Sequence, residues 1–161
     1  APLLPDDCEW HFIGHLQGNK VRPAVRLAKV IHAVDSIALL QRIDRIASEE
    51  ERQPVVLLEV NISGETSKYG LTVDGAREAA AASLDCQHLH LAGLMTMAPY
   101  DAPETELRHI FGRLRQTRDQ LQKELSISLP ELSMGMSGDF EIAIEEGATL
   151  VRVGSAIFGE I

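Results

Sequence analysis

The chain has 161 residues, 45% hydrophobic and 24% charged, which suffices for one buried core and excludes a disordered segment. Fifteen Lys and Arg against twenty-four Asp and Glu leave a formal charge of -9, which excludes a nonspecific grip on nucleic acid or an anionic membrane; any anion site must be local. Cys8 and Cys86 lack paired metal or redox spacing and no apolar run has membrane or signal-peptide form, so a soluble cytoplasmic protein is expected.

The first strand candidate, Glu9-Trp-His-Phe-Ile-Gly14, reads as wholly buried and is preceded by Ala1-Pro-Leu-Leu-Pro-Asp-Asp7 with no initiating Met, as if it were the middle of a longer protein. After a polar turn, Val21, Val25, Ala28 and Ile31 share one helical face, and Ala33-Val-Asp35 reads as a short strand. Ser36 is a good N-cap for a helix striped by Ile37, Leu40, Ile43 and Ala47, with Glu49–Arg52 as its solvated end. Pro54 breaks that helix, and Val55–Ile62 is a strand apolar on both faces, which belongs in a parallel sheet covered by helices. A polar loop, Ser63–Gly70, follows it. Asp74 is expected to cap a helix with Ala79, Ala80 and Leu84 inward, His88–Met97 is the next strand, and Pro103 starts the longest helix, striped by Leu107, Ile110, Phe111, Leu114, Leu121 and Leu125.

The last quarter carries the chemistry. Ser133-Met-Gly-Met-Ser-Gly-Asp139 and Leu150-Val-Arg-Val-Gly-Ser155 each read as a buried strand running into a Gly/Ser turn, the first opening into a short helix ended by Gly147. Free backbone N–H groups at such turns favour an anion, and glycine lets the backbone approach it. Ser137 adds a hydroxyl, Gly154 and Ser155 a second set of donors, and Arg152 stands two residues before that turn, so a phosphorylated ligand between two strand ends is implied. Six strands alternating with five helices mean a parallel α/β sheet with its ligand at the C-terminal strand ends. Composition leaves an open doubly wound sheet and a piece of a (β/α)8 barrel both standing. No G-x-G-x-x-G or Walker pattern follows any strand.

Trp10-His-Phe-Ile-Gly-His-Leu-Gln-Gly-Asn-Lys20, Val60-Asn-Ile-Ser-Gly-Glu-Thr-Ser-Lys-Tyr-Gly-Leu71, Gly93-Leu-Met-Thr-Met97 and the two motifs of the last quarter closely resemble the pyridoxal phosphate homeostasis protein family. The resemblance covers essentially the whole chain. It implies the (β/α)8 barrel of the alanine racemase N-terminal type, with about six of eight strands encoded here and residues 1–161 forming one domain, the C-terminal three quarters of that barrel. It also implies pyridoxal 5′-phosphate as cofactor, held by a protein that carries or regulates it without turnover. By the same resemblance Met136, Ser137, Gly138, Gly154 and Ser155 form the phosphate cup, Arg152 faces the pyridine nitrogen, and His11, Asn61 and Met95 surround the ring.

The family's first strand bears the Schiff-base lysine, and neither it nor the second strand is present, which favours reading the chain as a fragment, or as one whose missing strands come from elsewhere. Of Lys20, Lys29, Lys68 and Lys123, Lys68 is the best substitute because its loop follows a strand at the ligand edge. The alternative is an amino-acid racemase or lyase on the same barrel, with Tyr69 in an acid/base pair. Expected partners are the cofactor and apo enzymes that need it, with no nucleic acid or membrane, as a monomer or homodimer. His88 and His90 face one way on a strand but lack a third metal ligand, the four methionines fit core packing, and Asp139, Glu141, Glu145 and Glu146 fit capping and a solvated face.

Overall fold

The computed structural model describes residues 8–65 and 69–159. Among the described residues six strands and six α-helices alternate: β1 His11–Phe12, α1 Val21–Leu27, β2 Val30–Val34, α2 Ile37–Glu49, β3 Val55–Glu59, α3 Val73–Ala82, β4 His90–Met95, α4 Glu104–Leu125, β5 Glu131–Met136, α5 Phe140–Glu145, β6 Leu150–Arg152 and α6 Ser155–Phe158. All pairings are parallel, and the sheet order is β1-β2-β3-β4-β5-β6. This order decides between the two architectures. A doubly wound sheet reverses direction at a switch point, whereas here each βα unit adds its strand beside the last, as in a barrel wall.

The two faces of the sheet differ accordingly. Between sheet and helices lies the main core, in which Ile31, Val56, Leu58, Leu94, Leu132 and Met134 meet Leu40, Ile43, Ala76, Ile110 and Phe111. The other face carries a small cluster of Val30, Ala33, Leu57, Ala92 and Met95. Buried polar residues, His32, Glu59, Ser133 and Arg152, stand on β2, β3, β5 and β6. Among the described residues no helix is long and apolar enough to cross a membrane.

Several boundaries differ from the sequence expectation, each for a local reason. β1 is two residues long and not buried; among the described residues it pairs with a strand, β2, on one side only. Ile31 belongs to β2 and not to the preceding helix: Ala28 is already extended and Lys29 N donates to Trp10 O at 2.8 Å, so the apolar run enters the sheet. β3 stops at Glu59, three residues early. Thr72, not Asp74, caps α3 by accepting from Gly75 N at 3.0 Å, and Leu84 is exposed beyond the helix end. Ser36 does cap α2, accepting from Leu39 N at 3.2 Å. The helix end at Glu49 and Glu50 is solvated but pinned, since both carboxylates pair with Arg22 and Glu50 also with Arg26. β6 is an edge strand with Val151 exposed, not a buried one.

Candidate functional site

β5 and β6 are neighbours, so their C-terminal turns lie side by side. Gly135, at φ +93 near the end of β5, bends the strand where a Cβ would lie 2.6 Å from the Ala143 Cβ. The turn that follows holds Ser137, whose Oγ accepts from Gly154 N at 3.1 Å and from Ala156 N at 3.3 Å. Two backbone donors from the end of β6 therefore converge on one hydroxyl at the end of β5. At Gly138 and Gly154 an added Cβ would meet nothing within 4 Å, which leaves open space against the backbone.

The helical contribution is smaller than the sequence suggested. α5 has six residues and α6 four, so directed N–H groups, not a long helix dipole, are what the site offers. Asp139 occupies the N-cap position of α5 but makes no side-chain cap bond; its Oδ1 accepts instead from Met136 N at 2.6 Å. That donor is held by a carboxylate, whereas the Gly154 and Ala156 N–H groups of the β6 turn share one hydroxyl at longer distances and are the more available source.

Below the turns a buried polar chain crosses the concave face. Arg152 is 8% exposed; Nη1 donates to Ser133 Oγ at 2.7 Å and Nη2 to Thr96 O at 2.9 Å. Thr96 Oγ1 donates to Val60 O at 2.7 Å. Ser133 Oγ also meets His32 Nδ1 at 2.8 Å, and His32 Nε2 meets His11 Nδ1 at 2.9 Å. Burial pushes the Arg152 guanidinium below its ordinary value, opposed by Asp139 and Glu59. Glu59 is 3% exposed and its Oε2 has no hydrogen-bond partner; burial first, then Asp35, pushes its carboxyl upward. A cleft of about 330 Å³ opens beside this chain, lined among others by His11, His32, Met136, Arg152 and Gly154. Among the described residues no group of three or more His, Cys, Asp or Glu is placed to hold a metal.

His32 is pushed down to about 4 by burial, then by His11 and Arg152. The folded protein resists a proton that the unfolded chain accepts near pH 6.5, so this contribution is whole above 6.5 and is lost as pH falls towards 4. It amounts to about 3 kcal/mol. Glu59 slopes the other way, losing stability as pH rises from its ordinary carboxylate range. Urea unfolding at pH 7 and pH 4.5 is expected to show a smaller acid loss for His32→Gln than for the unaltered chain. Equal losses would remove His32 as the cause.

The sequence-proposed residues are not all brought together. His11, Met136, Arg152 and Gly154 line the cleft, and Ser137 joins them through Gly154. Gly138 and Ser155 are exposed on the two turns. Met95 is 1% exposed and packs with Val30 and Leu57, outside the cleft lining. Asn61 turns back on its own loop: its amide donates to Glu65 O at 2.8 Å and its Oδ1 accepts from Gly64 N at 3.0 Å. Lys68 lies outside the described residues; Lys20, Lys29 and Lys123 are exposed and absent from the cleft lining, and Lys29 pairs with Glu9. Tyr69 stacks on His15, 4.0 Å between ring centres, and His15 Nδ1 meets Asp35 Oδ2 at 3.1 Å. His88 lies 3.9 Å from the Asp44 carboxylate. His32 and Ser133 were missed; the available signal was a polar residue inside an otherwise apolar strand.

The family model described as alanine racemase, N-terminal domain, matches residues 5–161. The pyridoxal phosphate homeostasis protein of Aquifex aeolicus is 44% identical over 154 residues, which cover 96% of this chain and 68% of that protein. PipY of Synechococcus elongatus PCC7942, solved without pyridoxal phosphate, superposes with a TM-score of 0.92 at 39% identity, covering 96% of this chain and 73% of the other. The same protein with pyridoxal phosphate bound gives 0.89 at 39% identity, covering 97% and 72%. Alanine racemase of Clostridium difficile 630, at 13% identity and a TM-score of 0.73, covers 94% of this chain and 41% of that one and shares the fold alone.

Proposed function

Since the chain belongs to the pyridoxal phosphate homeostasis protein family, we propose that it binds pyridoxal 5′-phosphate at the ends of β5 and β6 and serves as a carrier or regulator of that cofactor. The observation that carries this reading is the convergence of the Gly154 and Ala156 N–H groups on Ser137, with the buried Arg152 beneath. The residues present fit the group. Open space over Gly138 and Gly154 admits a phosphate, and the donors stand where its oxygens would replace or join the Ser137 hydroxyl. The cleft of about 330 Å³ is of ligand size.

When bound, the cofactor supplies an electron-withdrawing pyridine ring. Arg152 would be the residue to hold the ring nitrogen: a guanidinium that keeps its proton would donate to that nitrogen without protonating it, and so would favour the weaker electron-accepting form of the ring. Ser133 and Thr96 fix the guanidinium, Ser137 with the β6 turn orients the phosphate, and His11 closes the edge of the cleft. This set binds and orients. It favours a binding and delivery role over turnover, with apo enzymes that use the cofactor as recipients.

Absorbance titration with pyridoxal phosphate, competed by inorganic phosphate, tests the reading. Saturable binding is expected, and Ser137→Ala should weaken it about tenfold or more, the worth of one lost hydrogen bond to a charged group. Absence of a saturable signal from the unaltered chain would overturn the assignment.

A further inference from the structure

A hydrogen-bond chain runs from Arg152 through Ser133 and His32 to His11, and its direction follows from the donors it contains. Guanidinium N–H groups only donate, so Ser133 Oγ accepts from Arg152 Nη1 at 2.7 Å. Ser133 has no exposed surface, and the only other partner of its hydroxyl among the described residues is His32 Nδ1 at 2.8 Å. Its proton therefore goes to His32. The reverse arrangement would leave a buried O–H with no acceptor. His32 is 2% exposed and neutral at pH 7, so with Nδ1 accepting, its one ring proton sits on Nε2 and is donated to His11 Nδ1 at 2.9 Å. His11 then carries its own proton on Nε2.

We propose that Ser133 and His32 are positioning residues that pass the donor direction of Arg152 to His11, so that the cleft is met by donors at both Arg152 and His11 Nε2–H and selects a ligand ring bearing an acceptor atom opposite His11. The identity of that ligand rests on the pyridoxal phosphate reading; the tautomers do not. The motif that contains Ser133 does not mark its tie to His32, because that role depends on β2 and β5 turning both side chains onto the same face of the sheet.

Nitrogen-15 NMR of the full chain with labelled histidine, at pH 7 and without ligand, reads the tautomers directly. His32 and His11 are both expected as Nε2–H with unprotonated Nδ1. Ser133→Ala should release this preference and give mixed tautomers, and Ser133→Thr, which keeps the hydroxyl, should restore it. A proton on His32 Nδ1 in the unaltered chain overturns the relay, and this spectrum decides even if neither variant folds. In a second arm, His11→Phe should weaken pyridoxal phosphate binding about fivefold or more while leaving inorganic phosphate binding unchanged. Equal binding of pyridoxal phosphate overturns the selecting role. If the unaltered chain binds no pyridoxal phosphate, the functional reading and the ligand half of this proposal fall together, and the tautomer half stands or falls by its spectrum.

Discussion

Gly93→Ala is expected to destabilise the chain by about 3 kcal/mol or more, the upper range for overpacking a close-packed interior. Gly93 lies on β4, paired with Leu57 of β3 on one side and Glu131 of β5 on the other. A Cβ there would sit 1.9 Å from the Glu131 carbonyl oxygen and 2.6 Å from its carbon, so backbone must move. The strands cannot part locally without cost, because β5 is held again at β6 and against α4 and α5. The same displacement would move Ser133 away from Arg152, so ligand affinity should fall with stability. Gly138→Ala is the matched control: its Cβ meets nothing within 4 Å, and unfolding midpoints in urea should be unchanged. If Gly93→Ala unfolds at the midpoint of the unaltered chain, β4 and β5 are not packed at this distance.

The second large effect is expected at Arg152. Arg152→Met should weaken pyridoxal phosphate binding about a hundredfold, close to 3 kcal/mol, while changing stability by only about 1–2 kcal/mol. The two differ because they draw on different balances. In folding, removal of the guanidinium leaves the Ser133 hydroxyl and the Thr96 carbonyl without its donors, but it also relieves the burial of a charge. Binding has no such relief, since in the proposed site the lost charge-assisted donor would face the ligand. Arg152→Lys should recover part of the affinity only, because an ammonium cannot hold Ser133, Thr96 and a ligand atom in one plane. Titration by absorbance, with urea unfolding alongside, measures both. Binding by Arg152→Met within threefold of the unaltered chain would remove Arg152 from the ligand contact.

Much of the fold was legible because its signals are local. The apolar run from Val55 can only be a strand covered on both faces, Ser36 announces α2, and Pro103 announces α4. The errors sit where two patterns overlap or where burial depends on a neighbour. Val30 and Ile31 continue the apolar face of α1 as well as they begin β2, and the backbone bonds to Trp10 settle it. Thr72 and Asp74 are both good caps, and only the geometry of Gly75 N chooses. Asn61 was placed beside the ligand ring by the family resemblance. In the structure its amide bonds to the loop it precedes, a short-range interaction that residue type allows but does not announce.

The sequence by itself determined the alternating strands and helices and the two Gly/Ser turns, because each depends on residues within a few positions of one another, and the family, whose motifs follow in order along the chain. The strand order bore out the barrel that the resemblance implied, and only the tertiary structure decided that Ser137 gathers the N–H groups of Gly154 and Ala156 and that His11, His32, Ser133 and Arg152 form one hydrogen-bonded chain. The physical reason is distance along the chain. Ser133 and His32 are 101 residues apart, and a hydrogen bond between them follows from strand order and register, which no local preference encodes.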